Sequence, residues 1–178
     1  MLKLLIMKKI LIALLLTLIP LTALGASKNY SPADVAKAES SGDFVITSDV
    51  RHFNPLTGIY DLNGHVYVQL PVHEEQLKIN ADTAQVKLYS QEVNAKGNIE
   101  LEFGEMLFRC DSTYVSIKER TAYVYNNIFF KHKFTEIRAD SATYCWKTKL
   151  ATFKNASYNG EPKKANLQYN VMTGKVIK

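Results

Sequence analysis

The groupings that usually announce covalent chemistry are missing from this sequence of 178 residues. It holds no Gly-x-Ser-x-Gly, no glycine-rich phosphate loop and no Cys-x-x-Cys, so no nucleophile elbow, nucleotide cradle or dithiol centre can be read. Its four histidines, His52, His65, His73 and His132, never fall at His-x-His or His-Glu-x-x-His spacing, which leaves no metal set. Basic clusters are small. Lys131-His132-Lys133 and Lys163-Lys164 read as solvated turns or contacts for anionic lipid headgroups, not as a nucleic-acid surface. These absences predict a protein without catalytic residues, metal, cofactor or nucleic-acid partner.

Cysteine is scarce too. The two present, Cys110 and Cys145, sit at inward and outward offsets of the repeat described below, and opposite-facing positions rarely meet disulfide geometry. Two free thiols are expected, with Cys110 an ordinary small core residue.

A spanning helix is missing as well. Residues 1–26 carry Lys3, Lys8 and Lys9 before an apolar run from Ile10 to Leu24, interrupted by Pro20, with small residues near Gly25. Such a run falls short of the roughly 20 apolar residues needed to cross a bilayer and reads as a secretory signal. A retained anchor is the rival reading, and Met7 is an alternative start. Cleavage would take three lysines from the 22 basic residues, leaving 19 against 17 acidic. Residues 27–42 read as a polar linker with a short helix opening at Ser31-Pro32-Ala33-Asp34.

From Asp43 onward the pattern is β. Leu77 to Gly104 alternates apolar and polar residues, shifts parity at Ala81-Asp82, and turns at Ala95-Lys96-Gly97-Asn98. The unit recurs: Asp82, Asp111 and Asp140 are 29 apart, and Asp49 lies 33 before Asp82. Fifteen residues after each Asp stands Gly64, Gly97, Asn126 or Asn155, all tolerant of positive φ. A degenerate fifth unit begins at Ala165-Asn166 and ends after Thr173-Gly174. Fixed-period repeats indicate stacked supersecondary units sharing one core.

The parity shift implies an inserted residue or bend, so each Ala-Asp reads as the crease of a V-shaped strand. The aspartates are expected to be corner residues bonding local backbone amides. Inward positions then include Ile79, Val86, Leu88, Leu101, Phe103, Met106, Phe108, Val115, Ile117, Ile128, Phe130, Ile137 and Tyr144. These would pack as a core in any β-fold. If the sheets splay, they become an apolar groove in which acyl chains gain roughly 0.8 kcal/mol per buried CH₂.

The Ile-x-Ala-Asp motif (Ile79 to Asp82, Ile137 to Asp140), the Ala95-to-Ile99 corner and the closing Ala165-to-Val176 segment resemble the OstA-like family of periplasmic lipopolysaccharide-transport proteins. The resemblance covers residues 43–178 and rests on the repeated frame. It implies an all-β fold, a V-shaped antiparallel β-jelly roll of ~29-residue repeats open at both ends. It further implies a periplasmic bridge between inner and outer membranes that carries lipid A acyl chains in its groove. Partners would be lipopolysaccharide, homologous jelly-roll domains paired by edge strands, and further copies joined end to end. The first crease, with Ser48 and Arg51, and the longer first repeat around His73-Glu74-Glu75 depart from the pattern. Alternatives are a membrane-anchored transfer subunit of the same family, a closed structural β-solenoid, and an envelope hydrolase.

Overall fold

The computed structural model describes residues 44–72, 75–162 and 164–177. The expected signal segment, linker and short helix lie outside the described residues, as do Asp43 and the His73-Glu74 part of the long first repeat. Eleven strands follow in chain order: β1 (Val45–Thr47), β2 (Val50–Asn54), β3 (Ile59–Val72), β4 (Glu75–Lys87), β5 (Glu92–Phe103), β6 (Met106–Ser116), β7 (Thr121–His132), β8 (Thr135–Cys145), β9 (Leu150–Tyr158), β10 (Lys164–Asn170) and β11 (Lys175–Val176). They form one antiparallel sheet in sequence order, with β1 and β2 both paired to β3. This is the expected all-β architecture, an open roll in which each strand from β2 onward pairs with the next in the chain.

The parity shift is plain in the burial. On β4, Leu77, Ile79 and Ala81 are buried, Asp82 is exposed, and Ala84 and Val86 are buried again. The same reversal crosses Asp111 on β6 and Asp140 on β8. Each long strand thus has a leading arm on the Ile79 side of the crease and a trailing arm on the Val86 side. Rings meet across the fold: leading-arm Phe108 lies 6.3 Å from trailing-arm Phe153, and leading-arm Phe130 lies 5.4 Å from trailing-arm Tyr169. One core therefore serves both arms.

The corner chemistry corrects the reading of the sequence in two respects. The extra residue sits not on the aspartate strands but on their neighbours, where the register slips at 63/66, 96/99 and 125/128. There two consecutive residues take positive φ: Gly64 and His65 (74° and 44°), Gly97 and Asn98 (79° and 46°), Asn126 and Asn127 (62° and 52°). A pair in that region makes a bulge and re-aims the strand, which is what folds the sheet on itself. On β9 only Asn155 does so, at 50°, and the β8–β9 pairing shows no slip.

The aspartates, second, meet side chains on a neighbouring strand, partners that the sequence did not indicate. Asn98, Asn127 and Asn155 donate Nδ2–H to Asp82, Asp111 and Asp140 at 2.8, 2.7 and 3.0 Å, and His65 Nδ1 meets Asp49 at 2.7 Å. A carboxylate packed this closely explains the glycine beneath it, since a Cβ on Gly97 would collide with Asp82.

Candidate functional site

The thirteen inward residues singled out above all point to one interior. Ile79, Phe108, Val115, Phe130 and Ile137 have no exposed surface; Val86, Leu101, Phe103, Met106, Ile128 and Tyr144 are buried. Leu88 and Ile117 are half-buried and pack on the core from the turns at the trailing-arm tips. Strand alternation and the crease together put them there, because period-2 patterning turns every second side chain to one face.

The interior is not uniform. From β3 to β5 it is lined by Val66, Val68, Leu70, Leu77, Ile79, Val86, Val93 and Leu101. From Phe103 at the end of β5 to β10, rings interlock among buried aliphatics such as Val115, Ile128, Ile137 and Leu167. Phe130 sits 4.7 Å from Phe108 and 5.1 Å from Phe153, and Phe103 lies 6.0 Å from both Tyr144 and Trp146. A buried hydrogen bond adds to this, His132 Nδ1 to Tyr169 Oη at 2.7 Å, linking the tips of opposite arms. Burial and the Lys133 charge hold His132 below the ordinary imidazole range.

Where the aliphatic part reaches the arm tips, a cavity of about 190 Å³ opens between them. Leu70 and Pro71 line it from the leading arm, Leu88, Val93 and Ile117 from the trailing arm, and half-exposed Phe44 from the chain's first described residue. Leu88 and Ile117 were expected here. Phe44 and Pro71 were not singled out, and the inward placing of Leu70 in the alternation was the available signal for that side. A second hollow of about 440 Å³ lies at the crease, where the polar side chains of Asn63, His65, Asn80, Asp82 and Asn98 are joined by Val66 and Ala81.

A backbone ladder holds the trailing rim. Leu88, Ile117, Trp146 and Val171 each donate N–H to the carbonyl of Gly58, Gln91, Arg120 and Lys149 in the preceding turn, at 2.9, 2.9, 3.1 and 2.9 Å. Each acceptor has positive φ, between 57° and 65°. The ladder carries one apolar side chain per turn, and those of Leu88 and Ile117 line the mouth.

Both cysteines are free thiols. Burial pushes the Cys110 thiol up to about 12, helped by the Asp111 charge, so it is inert at neutral pH. Among the described residues no three His, Cys, Asp or Glu side chains gather into a metal set.

No family model matches the chain, and no curated protein does. Eighteen solved chains are similar in structure. One is LptH of Pseudomonas aeruginosa, described as the LptA-homologous periplasmic component of the lipopolysaccharide transport device. The match covers 59% of this chain and 77% of that one, with a TM-score of 0.52 and 10% identity. The two share the fold. The roll expected from the repeat is thus a fold that this LptA homologue also has.

Proposed function

We propose that this protein is a periplasmic component of lipopolysaccharide transport that holds lipid A acyl chains between its two arms. The observation that carries the reading is the mouth at Phe44, Leu88 and Ile117, which leads onto an unbroken aliphatic lining. The shared roll with LptH and the basic, apolar N-terminal segment support the periplasmic setting.

The cavity is too small for a whole acyl chain, so uptake parts the arms. Chain burial drives this at roughly 0.8 kcal/mol per CH₂. The thirteen inward residues then exchange contacts with one another for contacts with the chain. Photo-crosslinkers at Leu88 and Ile117 are expected to capture lipopolysaccharide in the envelope, while those at outward Glu100 and Lys154 stay unlabelled. Equal labelling of both sets would sink the reading, as would native mass spectrometry of envelope-purified protein that finds no lipid.

Docking follows from the sheet ends. Among the described residues β1 and β2 pair with β3 alone, and β11 with Ile177 covers only Gln168 to Asn170 of β10, so both outer edges offer unpaired backbone. Unpaired edges invite strand addition. Homologous jelly-roll domains of membrane-bound transport proteins, or further copies of this chain, would extend the roll and form a bridge. Light scattering at rising concentration should show growing particles. A monomer at every concentration, with no partner captured at either edge, would count against bridging.

A further inference from the structure

The roll is also dry at one place on its outside. Cross-strand pairing sets up a row of outward side chains that runs from Val45 on β1 through Gln69 and Lys78 to Lys131 and Glu136. Exposure along the row is graded. Lys131 and Glu136 are exposed and Lys78 is half-buried, but Val45 is 4% exposed and Gln69 0%. Val45 is buried apart from the common core, which takes Ile46 from the same strand.

Neighbours within a sheet leave an outward side chain partly wet, as Lys78 and Lys131 are. Gln69 is instead among the largest fully buried side chains, its Oε1 accepting from the Tyr67 hydroxyl at 2.7 Å. A polar amide and a valine this dry on an outer face need a cover. Among the described residues one sheet holds every strand, so no second layer supplies it.

Residues 73 and 74 join the paired Val72 and Glu75, about 13 Å along the strand from Gln69, too short a link to fold back over it. Lys163 and Lys178 belong to the other end of the strand order. The chain ahead of Phe44 enters β1 directly beside Val45. Residues 27–42 can reach about 50 Å when extended, against about 10 Å from β1 across β3 to β4. They bring Tyr30 and Val35 as apolar cover, with Asp34 and Glu39 opposite in charge to Lys78.

We infer that residues 27–42 form an intramolecular strap across the outer face of β1, β3 and β4, docked on Val45, Tyr67 and Gln69. The strap explains how so short a first strand is held. β1 has three residues and three register partners on β3. With Ile46 in the core and Val45 under the strap it is gripped on both faces, which fixes Phe44 at the mouth. This holds whatever the mouth binds.

Photocrosslinking in the dilute full chain tests the strap. Benzoylphenylalanine replaces Tyr67 or, further along the same outward row, Phe129. The probe at Tyr67 is expected to give an intramolecular adduct that peptide mass spectrometry maps to residues 27–42, and the probe at Phe129 none there. An adduct between two copies, an adduct elsewhere in the chain, or no adduct overturns the strap. Val45→Glu gives an independent readout. In the full chain it should lower the melting midpoint by roughly 5 °C. Where a Gly-Ser sequence replaces residues 27–42, the same substitution should shift the midpoint by about 1 °C or less. Equal shifts in the two backgrounds, or no shift in the full chain, would show that these residues do not cover Val45 and would overturn the inference.

Discussion

The two ends of the interior differ in what occupies equivalent repeat positions. Three residues before the crease aspartate stand Ile79, Phe108 and Ile137; six after it stand Leu88, Ile117 and then Trp146. Four after the corner residue come Val68, Leu101 and Phe130. Two of these three series pass from branched aliphatics to rings, and in one of them burial deepens from half-buried Leu88 and Ile117 to buried Trp146. The ring-filled end packs against itself, with four rings chained from Phe108 through Phe130 to Phe153 and Tyr169. At the aliphatic end the arm tips stay apart around a cavity. One frame thus yields a locked end and an end that can part, because aromatic pairs span the gap between arms where valine and isoleucine do not.

The largest test of that contrast is truncation. Phe130→Ala should cost about 3–5 kcal/mol in urea unfolding, whereas Ile79→Val at the other end should cost about 0.5–1.5. Comparable losses would mean that the ends are equally well packed. Next come the corners, which also differ along the chain. Gly97→Ala forces a side chain into positive φ against Asp82, so roughly 1–2 kcal/mol or more should be lost. Asn126 already bears a Cβ at the matching corner, and Asn126→Gly should shift the midpoint far less.

Protonation should separate the ends with a smaller effect. His132, held below the ordinary 6.5 mainly by burial, contributes stability that is present above that value and lost as pH falls. Replacing it by Phe should flatten the acid side of the stability–pH curve. His65 behaves in the opposite sense. Its hydrogen bond to Asp49 raises it, so its contribution is full below about 6.5 and is lost as pH rises through the raised value. Because His65 is solvent-exposed, Asp49→Ala should leave the melting midpoint nearly unmoved. A large drop would show that the polar crease, and not the core, holds the sheet folded.

Much of the fold was legible in the residues, for reasons that can be named. Period-2 alternation fixes which side chains face inward, and the parity change at each Ala-Asp reappears as the switch from buried Ala81 across exposed Asp82 to buried Ala84. Glycine and asparagine fifteen residues on marked where φ turns positive. The partners of the aspartates were not legible. They stand one residue further on at His65, Asn98 and Asn127, and which side chain meets a carboxylate depends on cross-strand register. Phe44 escaped notice as a mouth residue because which side chains border a cavity depends on how far the arms stand apart, and alternation does not encode that.

The sequence by itself determined the strand count of each repeat, the inward face and the crease, since all three follow from local periodicity and backbone tolerance. Only the tertiary structure decided how far the arms stand apart. That spacing comes from side chains more than 20 residues distant in the chain, Phe103 on Trp146 and His132 on Tyr169, meeting across the fold. No local pattern encodes a distance between two faces that touch only after the sheet has bent.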